Sequence, residues 1–153
     1  MRARILVTGA GGFIGSVVGG RLRDAGFDVR AGFRRAVPGG VACNLDNTDE
    51  VRAAVKDVDC VVHAAYGASE AMMMQCKTLL AAMDEAGVCQ LIHFSSIAVH
   101  GDATGTIDED VRSLTPNDGY GAAKIACEAE VRVWAERSGA AGRHALILRP
   151  GIV

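Results

Sequence analysis

Short apolar runs alternate along this chain with longer segments in which apolar residues recur every three or four positions. The short runs, rich in valine, isoleucine and leucine, predict six strands, over Ala3–Val7, Val29–Phe33, Val41–Leu45, Cys60–Ala65, Gln90–Ser95 and Ala145–Arg149. The longer segments predict four helices, over Ser16–Ala25, Asp49–Lys56, Glu70–Glu85 and Tyr120–Arg137. Residues 101–118 show no periodicity and predict a long loop.

The order of these elements predicts an α/β fold with a doubly wound parallel sheet. Strands that alternate with helices are typical of parallel strands joined by crossover helices on both faces. Because such crossovers are right-handed, we expect the first strand near the centre of the sheet. The second and third strands should lie on one side of it, and the fourth, fifth and sixth on the other.

A glycine-rich turn joins the first strand to the first helix. Gly9, Gly12 and Gly15 recur at every third position within Thr8–Gly15. In a strand–turn–helix of this kind, the first glycine permits the sharp turn and the second lets backbone approach a pyrophosphate. The third lets the helix pack on the strand. Because free N–H groups at a helix start bind phosphates, the turn predicts a dinucleotide site.

Three side chains in the second half of the chain form a candidate catalytic set. Tyr120 and Lys124 are four residues apart, so they share one face of the predicted helix. There the ammonium favours release of the phenol proton, and such a phenol can exchange a proton with a carbonyl or alcohol oxygen. Ser96 directly follows the predicted fifth strand. Since open α/β sheets bind ligands at the carboxyl ends of their strands, we expect Ser96 at the same site.

Composition narrows the class of protein. The 153 residues suit one domain, and the apolar half of them suffices for a core. A net charge of −2 and few aromatic residues argue against nucleic acid and against an anionic membrane surface. No apolar run approaches membrane-spanning length. The five cysteines are scattered, without a Cys-x-x-Cys pair, and predict reduced thiols in a cytoplasmic protein.

Taken in order, these motifs resemble the short-chain dehydrogenase/reductase superfamily. The likeness is to its extended branch, which holds NAD(P)-dependent epimerases, dehydratases and dihydroflavonol-reductase-like enzymes. It implies a Rossmann-type domain over residues 1–153, ending after the sixth strand. In that branch a substrate-binding subdomain follows, so we expect an incomplete domain, either a fragment or a truncated product. The segments that carry the resemblance are Thr8–Gly15, His63–Ala65, Ser95–Gly101, Tyr120 with Lys124, and Leu148–Gly151.

The resemblance also implies how a cofactor is held. Phe33 stands where NAD-dependent relatives carry an acidic residue, and Arg34 stands where NADP-dependent relatives carry arginine. Because the arginine fork suits a 2′-phosphate, we expect NADP, with NAD as the alternative. The implied cofactor contacts are Gly9, Gly12, Phe13, Ile14, Gly15, Arg34, Asn44, Leu45, Ala64, Ala65, Tyr120 and Lys124.

For the chemistry, the resemblance implies hydride transfer between the nicotinamide and a carbonyl or alcohol substrate. Tyr120 is the expected acid/base, Ser96 the residue that orients the reacting oxygen, and Lys124 the support for Tyr120 and the ribose. The segment Ser96–Ala98 lacks the Thr-Asp-Glu triplet of sugar-nucleotide dehydratases, which argues against a lyase. Reductase and epimerase activities stay open, and so does the small-molecule substrate. The alternatives are a non-catalytic redox sensor and an inactive product.

Two helices are expected to pair copies of the chain into a homodimer. Related enzymes join the helices at positions 70–85 and 120–137 into a four-helix interface. Both carry more apolar residues than one face against a sheet requires. The residues concerned are Met72, Met73, Leu79, Leu80, Met83, Ile125, Val131, Val133 and Trp134.

Other residues with ligand chemistry fit structural roles. His63 and His93 lie in apolar strands, so we expect packed, hydrogen-bonded core histidines rather than metal ligands. Asp108, Glu109 and Asp110 are expected in a solvated acidic loop, because no histidine or cysteine completes a metal set beside them. The sequence therefore predicts no metal site.

Overall fold

A single parallel sheet organises the computed structural model, which describes residues 2–108, 114–137 and 142–151. The strand order is β3-β2-β1-β4-β5-β6, as the sequence predicts. The strands are β1 Arg4–Thr8, β2 Asp28–Phe33, β3 Val41–Ala42, β4 Cys60–His63, β5 Gln90–Phe94 and β6 His144–Leu148. The helices are α1 Phe13–Asp24, α2 Thr48–Val55, α3 Ser69–Ala86 and α4 Gly119–Glu136.

Helices cover both faces of the sheet, which confirms the doubly wound class. Val62 belongs to the core on the α1 side, while its neighbour Val61 belongs to the core beneath α2, α3 and α4. Adjacent strand residues thus bury opposite faces, which explains why the strands read as continuous apolar runs. The larger core also holds Leu79 and Trp134, both almost fully buried.

Several element boundaries differ from the predicted ones. Helix α1 begins at Phe13, since Gly12 acts as its N-cap. The cap of α2 is Asn47, whose side chain accepts the N–H groups of Asp49 and Glu50 at 3.1 and 3.3 Å, so this helix begins at Thr48, one residue earlier than predicted. A short 3₁₀ helix over Ile97–His100 was not predicted. The side chain of Ser96 caps this helix by accepting the N–H of Ala98, a contact that hydrophobic periodicity does not predict.

The helices expected at a dimer interface pack against each other within the chain. Most of the apolar residues that motivated the dimer are buried there: Met72, Leu79, Leu80, Met83, Val131 and Trp134. Val133 stays exposed, and Met73 and Ile125 are half-buried. The homodimer stays a prediction, and the apolar surface left to support it is that of Val133, Met73 and Ile125.

The cysteines and the helices of the described residues bear on the predictions made from composition. All five cysteines are free. Among residues 2–108, 114–137 and 142–151, no helix is both long and apolar enough to cross a membrane. Glu109 and Asp110 of the predicted acidic loop, and residues 152–153 at the end, lie outside the described residues.

Candidate active site

The predicted site residues gather at one edge of the sheet. Because all six strands are parallel, their carboxyl ends lie on the same side. Gly9 follows β1, Ala64 and Ala65 follow β4, and Ser96 follows β5. These three strands are neighbours in the sheet, so residues distant in sequence lie at the same edge.

The conformation of the glycine-rich turn leaves no room for a side chain at either of its ends. Gly9 has a φ of 69°, and a Cβ there would lie 2.7 Å from the Cα of Ala65. A Cβ at Gly15 would collide with the carbonyl oxygen of Gly9. Gly12 closes the turn by donating its N–H to that oxygen at 2.9 Å. Since Gly12 provides no capping side chain, the first N–H groups of α1 suit an external anion.

The Gly15→Ala variant is expected to weaken dinucleotide binding and to destabilise the fold. The added methyl group must displace the turn, and overpacking of this kind costs about 1–3 kcal/mol. Gly20→Ala is the matched control, because nothing lies within 4 Å of a Cβ at that position of the same helix. Alanine there should stabilise α1 by up to about 1 kcal/mol. Urea unfolding and NADPH titration of both variants measure the difference; equal effects would contradict the steric role of Gly15.

A cleft of about 290 Å³ lies beside this turn. It brings together most of the predicted cofactor contacts: Gly9, Gly12, Arg34, Asn44, Leu45, Ala64 and Ala65. Phe13, Ile14 and Gly15 lie at the start of α1, with Phe13 71% exposed. The cleft is also lined by residues that sequence reasoning missed, namely Cys43, Tyr66, Gly67 and Gln75.

Gln75, one of the lining residues that were not predicted, shows why hydrophobic periodicity alone does not identify every residue of the cleft. It lies on α3, buried, and its side chain donates to the carboxylate of Asp46 at 2.8 Å. In the sequence, a polar residue among the mostly apolar residues of this helix face is the feature that could have indicated a role for Gln75. Asn44 is also engaged locally, because its side-chain oxygen accepts the N–H of Asp46 at 3.3 Å.

Arg34 lies where the cleft meets an open groove formed with Phe33, Arg35 and Asn44. Its side chain is 79% exposed, and the nearest carboxylate oxygen, from Asp46, is 3.8 Å away. An exposed pair of this length contributes at most about 1 kcal/mol. The guanidinium is therefore available to an anionic ligand at the end of β2.

The side chain of Lys124 is buried at the carboxyl end of β5. It is only 4% exposed, and its ammonium donates a hydrogen bond to the carbonyl oxygen of Phe94 at 2.9 Å. The ammonium lies 5.7 Å from the centroid of the Tyr120 ring. Burial lowers the pKa of Lys124 below its usual value, while nearby Cys127, Cys76 and Glu128 oppose that shift. Burying an ammonium is costly unless it is paired, so this position is a candidate for a functional residue.

Ser96, rather than Ser95, has the accessible hydroxyl. Ser96 is half-buried, and its oxygen accepts the N–H of Ala98 at 3.1 Å. Within the described part of the chain this hydroxyl donates no hydrogen bond, so its hydrogen can be directed to a ligand. Ser95 is 4% exposed, inside the fold.

Gly121 allows the helix that carries Tyr120 to pack closely on the segment that follows Ser96. A Cβ at Gly121 would lie 2.6 Å from the carbonyl oxygen of Ala98. The start of α4, which carries Tyr120, consequently packs directly on the 3₁₀ helix that follows Ser96.

A buried ion pair ties α4 to the end of β6 and was not predicted. The carboxylate of Glu128 is 2% exposed and accepts two hydrogen bonds from Arg149, at 2.8 and 2.7 Å. Burial by itself would raise the pKa of Glu128, but the hydrogen bonds and positive charges of its neighbours, led by Arg149, together outweigh this effect and leave the pKa below its usual value. Because Glu128 is one helical turn beyond Lys124, the pair fixes the helix that carries Tyr120 and Lys124.

The two strand histidines are buried, as expected, but only one is hydrogen-bonded. The Nδ1 atom of His63 lies 2.8 Å from the hydroxyl of Thr8. Neither ring nitrogen of His93 has a hydrogen-bond partner among the described residues. Burial and then Lys124 lower the pKa of His93 to about 4. The expectation of a hydrogen-bonded core residue is therefore wrong for His93.

Comparison with known proteins decides the family. The model of the NAD dependent epimerase/dehydratase family matches residues 5–153. The chain belongs to this family. The resemblance noted from the motifs is thereby confirmed over almost the whole chain.

Within the family, the chain is similar to proteins of known name. It is 30% identical to a UDP-glucose 4-epimerase of Azospirillum brasilense, over 95% of this chain and 48% of that protein. It is 34% identical to a dTDP-6-deoxy-L-talose 4-dehydrogenase (NAD(P)(+)) of Kitasatospora kifunensis, over 85% and 47%. A Thermus thermophilus UDP-glucose 4-epimerase solved with NAD superposes with a TM-score of 0.82 at 28% identity, over 95% and 54%. The chain spans about half the length of these relatives.

Proposed function

We propose that this chain binds a nicotinamide dinucleotide and provides the proton-transfer residues of an oxidoreductase or epimerase. The observation that carries the proposal is the buried Lys124, fixed to the end of β5 beside Tyr120, on a helix whose start packs on the segment after Ser96. A redox-sensing module, the alternative, requires the cleft but none of these three side chains.

The cofactor fits the crevice for steric reasons. Gly9 and Gly15 let the turn pack closely on its own backbone and on Ala65, and the first N–H groups of α1 are left for phosphate oxygens. Small side chains at Ala64 and Ala65 line the same cleft, where larger ones would occupy it. When bound, the nicotinamide supplies the hydride acceptor or donor.

Each catalytic side chain has a distinct role in this proposal. Tyr120 transfers a proton to or from the reacting oxygen, since its phenol is the acid/base group beside Lys124. Lys124 stabilises the phenolate and donates to the ribose hydroxyls. Ser96 directs its free hydroxyl hydrogen to the reacting oxygen, because its own oxygen already accepts from the backbone.

The substrate class follows from the relatives rather than from the cleft. The two curated relatives reported above are named for sugar nucleotides, so we propose a sugar nucleotide whose carbonyl or alcohol reaches Tyr120. Epimerisation returns the hydride to the substrate, whereas a dehydrogenase leaves the nicotinamide reduced. The two outcomes are therefore distinguishable in one reaction mixture.

The test combines binding and turnover. The protein is titrated with NADPH and NADH by fluorescence, and then incubated with UDP-glucose or a dTDP-sugar while nicotinamide absorbance and sugar products are followed. New sugar without a net change in absorbance indicates an epimerase, and a net change indicates a dehydrogenase. Tight dinucleotide binding with no product in either case would favour the sensor or an inactive product, and no binding would reject the proposal.

The cofactor preference should be NADP(H), with Arg34 as the cause. Arg34→Ala is expected to weaken NADPH by about 10–100-fold, because a hydrogen bond to a charged group contributes about 1.5–3 kcal/mol. NADH affinity should be nearly unchanged. Arg21→Ala is the matched control, since it removes the same charge from the exposed end of α1. Equal losses for both cofactors would show that Arg34 does not bind the 2′-phosphate.

A further inference from the structure

Two histidines face each other across neighbouring strands at the centre of the sheet. His63 on β4 and His93 on β5 are register partners. Their side chains share the sheet face of Val61 and Leu91, which is the face covered by α3 and α4. The ring centroids are 5.2 Å apart. Helix α3 places Cys76 over this pair.

These three side chains bring their ligand atoms together. One nitrogen of each histidine and the sulfur of Cys76 all lie within 4.8 Å of one another. All three residues are at least 96% buried, with exposed fractions of 4, 1 and 1%. Because Thr8 already contacts Nδ1 of His63, the Nε2 atom is the one available as a ligand.

The unpartnered ring of His93 independently indicates a ligand. Buried polar atoms almost always have a partner, and an exception calls for a specific cause such as an ion. Both ring nitrogens of His93 lack one among residues 2–108, 114–137 and 142–151. The ring lies beside a thiol and a second imidazole, both of which can bind a metal ion.

We propose that His63, Cys76 and His93 bind one zinc-class divalent cation at a buried three-ligand site. Imidazole and thiolate are the ligands this cation prefers. On binding, the Cys76 sulfur forms the metal–sulfur bond and its proton passes to solvent. The site lies outside the dinucleotide cleft, so the inference does not depend on the proposed function.

The charged and titratable neighbours are compatible with this proposal. Lys124 acts on both histidines, and the thiolate formed at Cys76 offsets one positive charge. Cys127 on α4 adds a second sulfur next to the site. Glu128, whose charge also acts on His93, contributes a negative charge from the same helix. Thr8 serves as the outer partner that orients His63, as is usual for metal-bound histidines.

The site predicts graded losses of metal affinity. Protein stripped with a chelator under a phosphine reductant is titrated with Co²⁺, followed by competition with Zn²⁺. We expect one cobalt per chain with a thiolate charge-transfer band. Cys76→Ser should remove that band, and His93→Gln should weaken binding by more than about 100-fold. Thr8→Val, which changes only the outer partner, should weaken it by about 10–100-fold.

Two controls separate this site from adventitious binding. Cys89→Ser and His144→Gln remove a cysteine and a histidine that lie elsewhere, the latter exposed on β6. Both should keep wild-type cobalt affinity. Circular dichroism checks that each variant is folded, and Thr8→Val keeps the ligand set if a ligand variant unfolds. Absence of the thiolate band in the wild-type protein, or equal losses in the controls, would overturn the proposal.

Discussion

Replacing Tyr120 with phenylalanine is expected to lower turnover by about 10²–10⁴-fold, the range of a positioned acid/base group. Only the phenolic hydroxyl is removed, so NADPH binding should stay nearly intact. Steady-state rates with a sugar nucleotide and fluorescence titration with NADPH measure the two quantities. Tyr66→Phe is the matched control, because Tyr66 lines the cofactor cleft but is 74% exposed and distant in sequence from the catalytic set.

A lysine variant distinguishes the two roles within the set. Lys124→Ala is expected to reduce both turnover and dinucleotide affinity, since the ammonium supports Tyr120 and also contacts the ribose in the proposed complex. The structure gives the lysine one fixed partner, the carbonyl oxygen of Phe94. Near wild-type turnover in Tyr120→Phe would show that another group transfers the proton.

Removing the carboxylate of Glu128 should cost about 3–5 kcal/mol in the free energy of unfolding, the range found when one partner of a buried ion pair is lost. The Glu128→Ala variant leaves the Arg149 guanidinium, only 16% exposed, without its carboxylate. Glu130→Ala provides the control two residues along α4. Its pair with Lys77, at 3.2 Å, is partly exposed and should contribute no more than about 1 kcal/mol. Urea unfolding of both variants measures the difference, and similar losses would contradict the role of Glu128.

The same carboxylate predicts how stability changes with pH. Arg149 holds the pKa of Glu128 below its usual value in the folded protein. Its contribution is therefore fully present above the unfolded pKa of about 4.3 and is lost as the pH falls through the folded pKa. Glu128→Gln should consequently be less stable than wild type near neutrality. Its free energy of unfolding should also decrease less steeply than that of wild type as the pH falls below about 4. Parallel pH profiles would show that other groups control acid unfolding.

Local sequence determined the order and type of the main elements. Apolar runs and helical periodicity predict six strands and four helices, because burial requires those spacings wherever the elements later pack. Gly9 and Gly15 predict the tight strand-to-helix turn, since a Cβ at either position meets backbone. The spacing of Tyr120 and Lys124 likewise places both on one helical face. These features depend on neighbours within a few residues, so the sequence by itself was sufficient.

Contacts between distant residues were decided only by the tertiary structure. Periodicity places Gln75 on α3 but not beside Asp46, and it cannot join Glu128 of α4 to Arg149 beyond β6. The same holds for His63 and His93. Each strand is apolar and predicts packed histidines, but only strand register makes them partners, and only the packing of α3 adds Cys76. Register and helix rotation arise from the whole core, so one segment's sequence does not contain them.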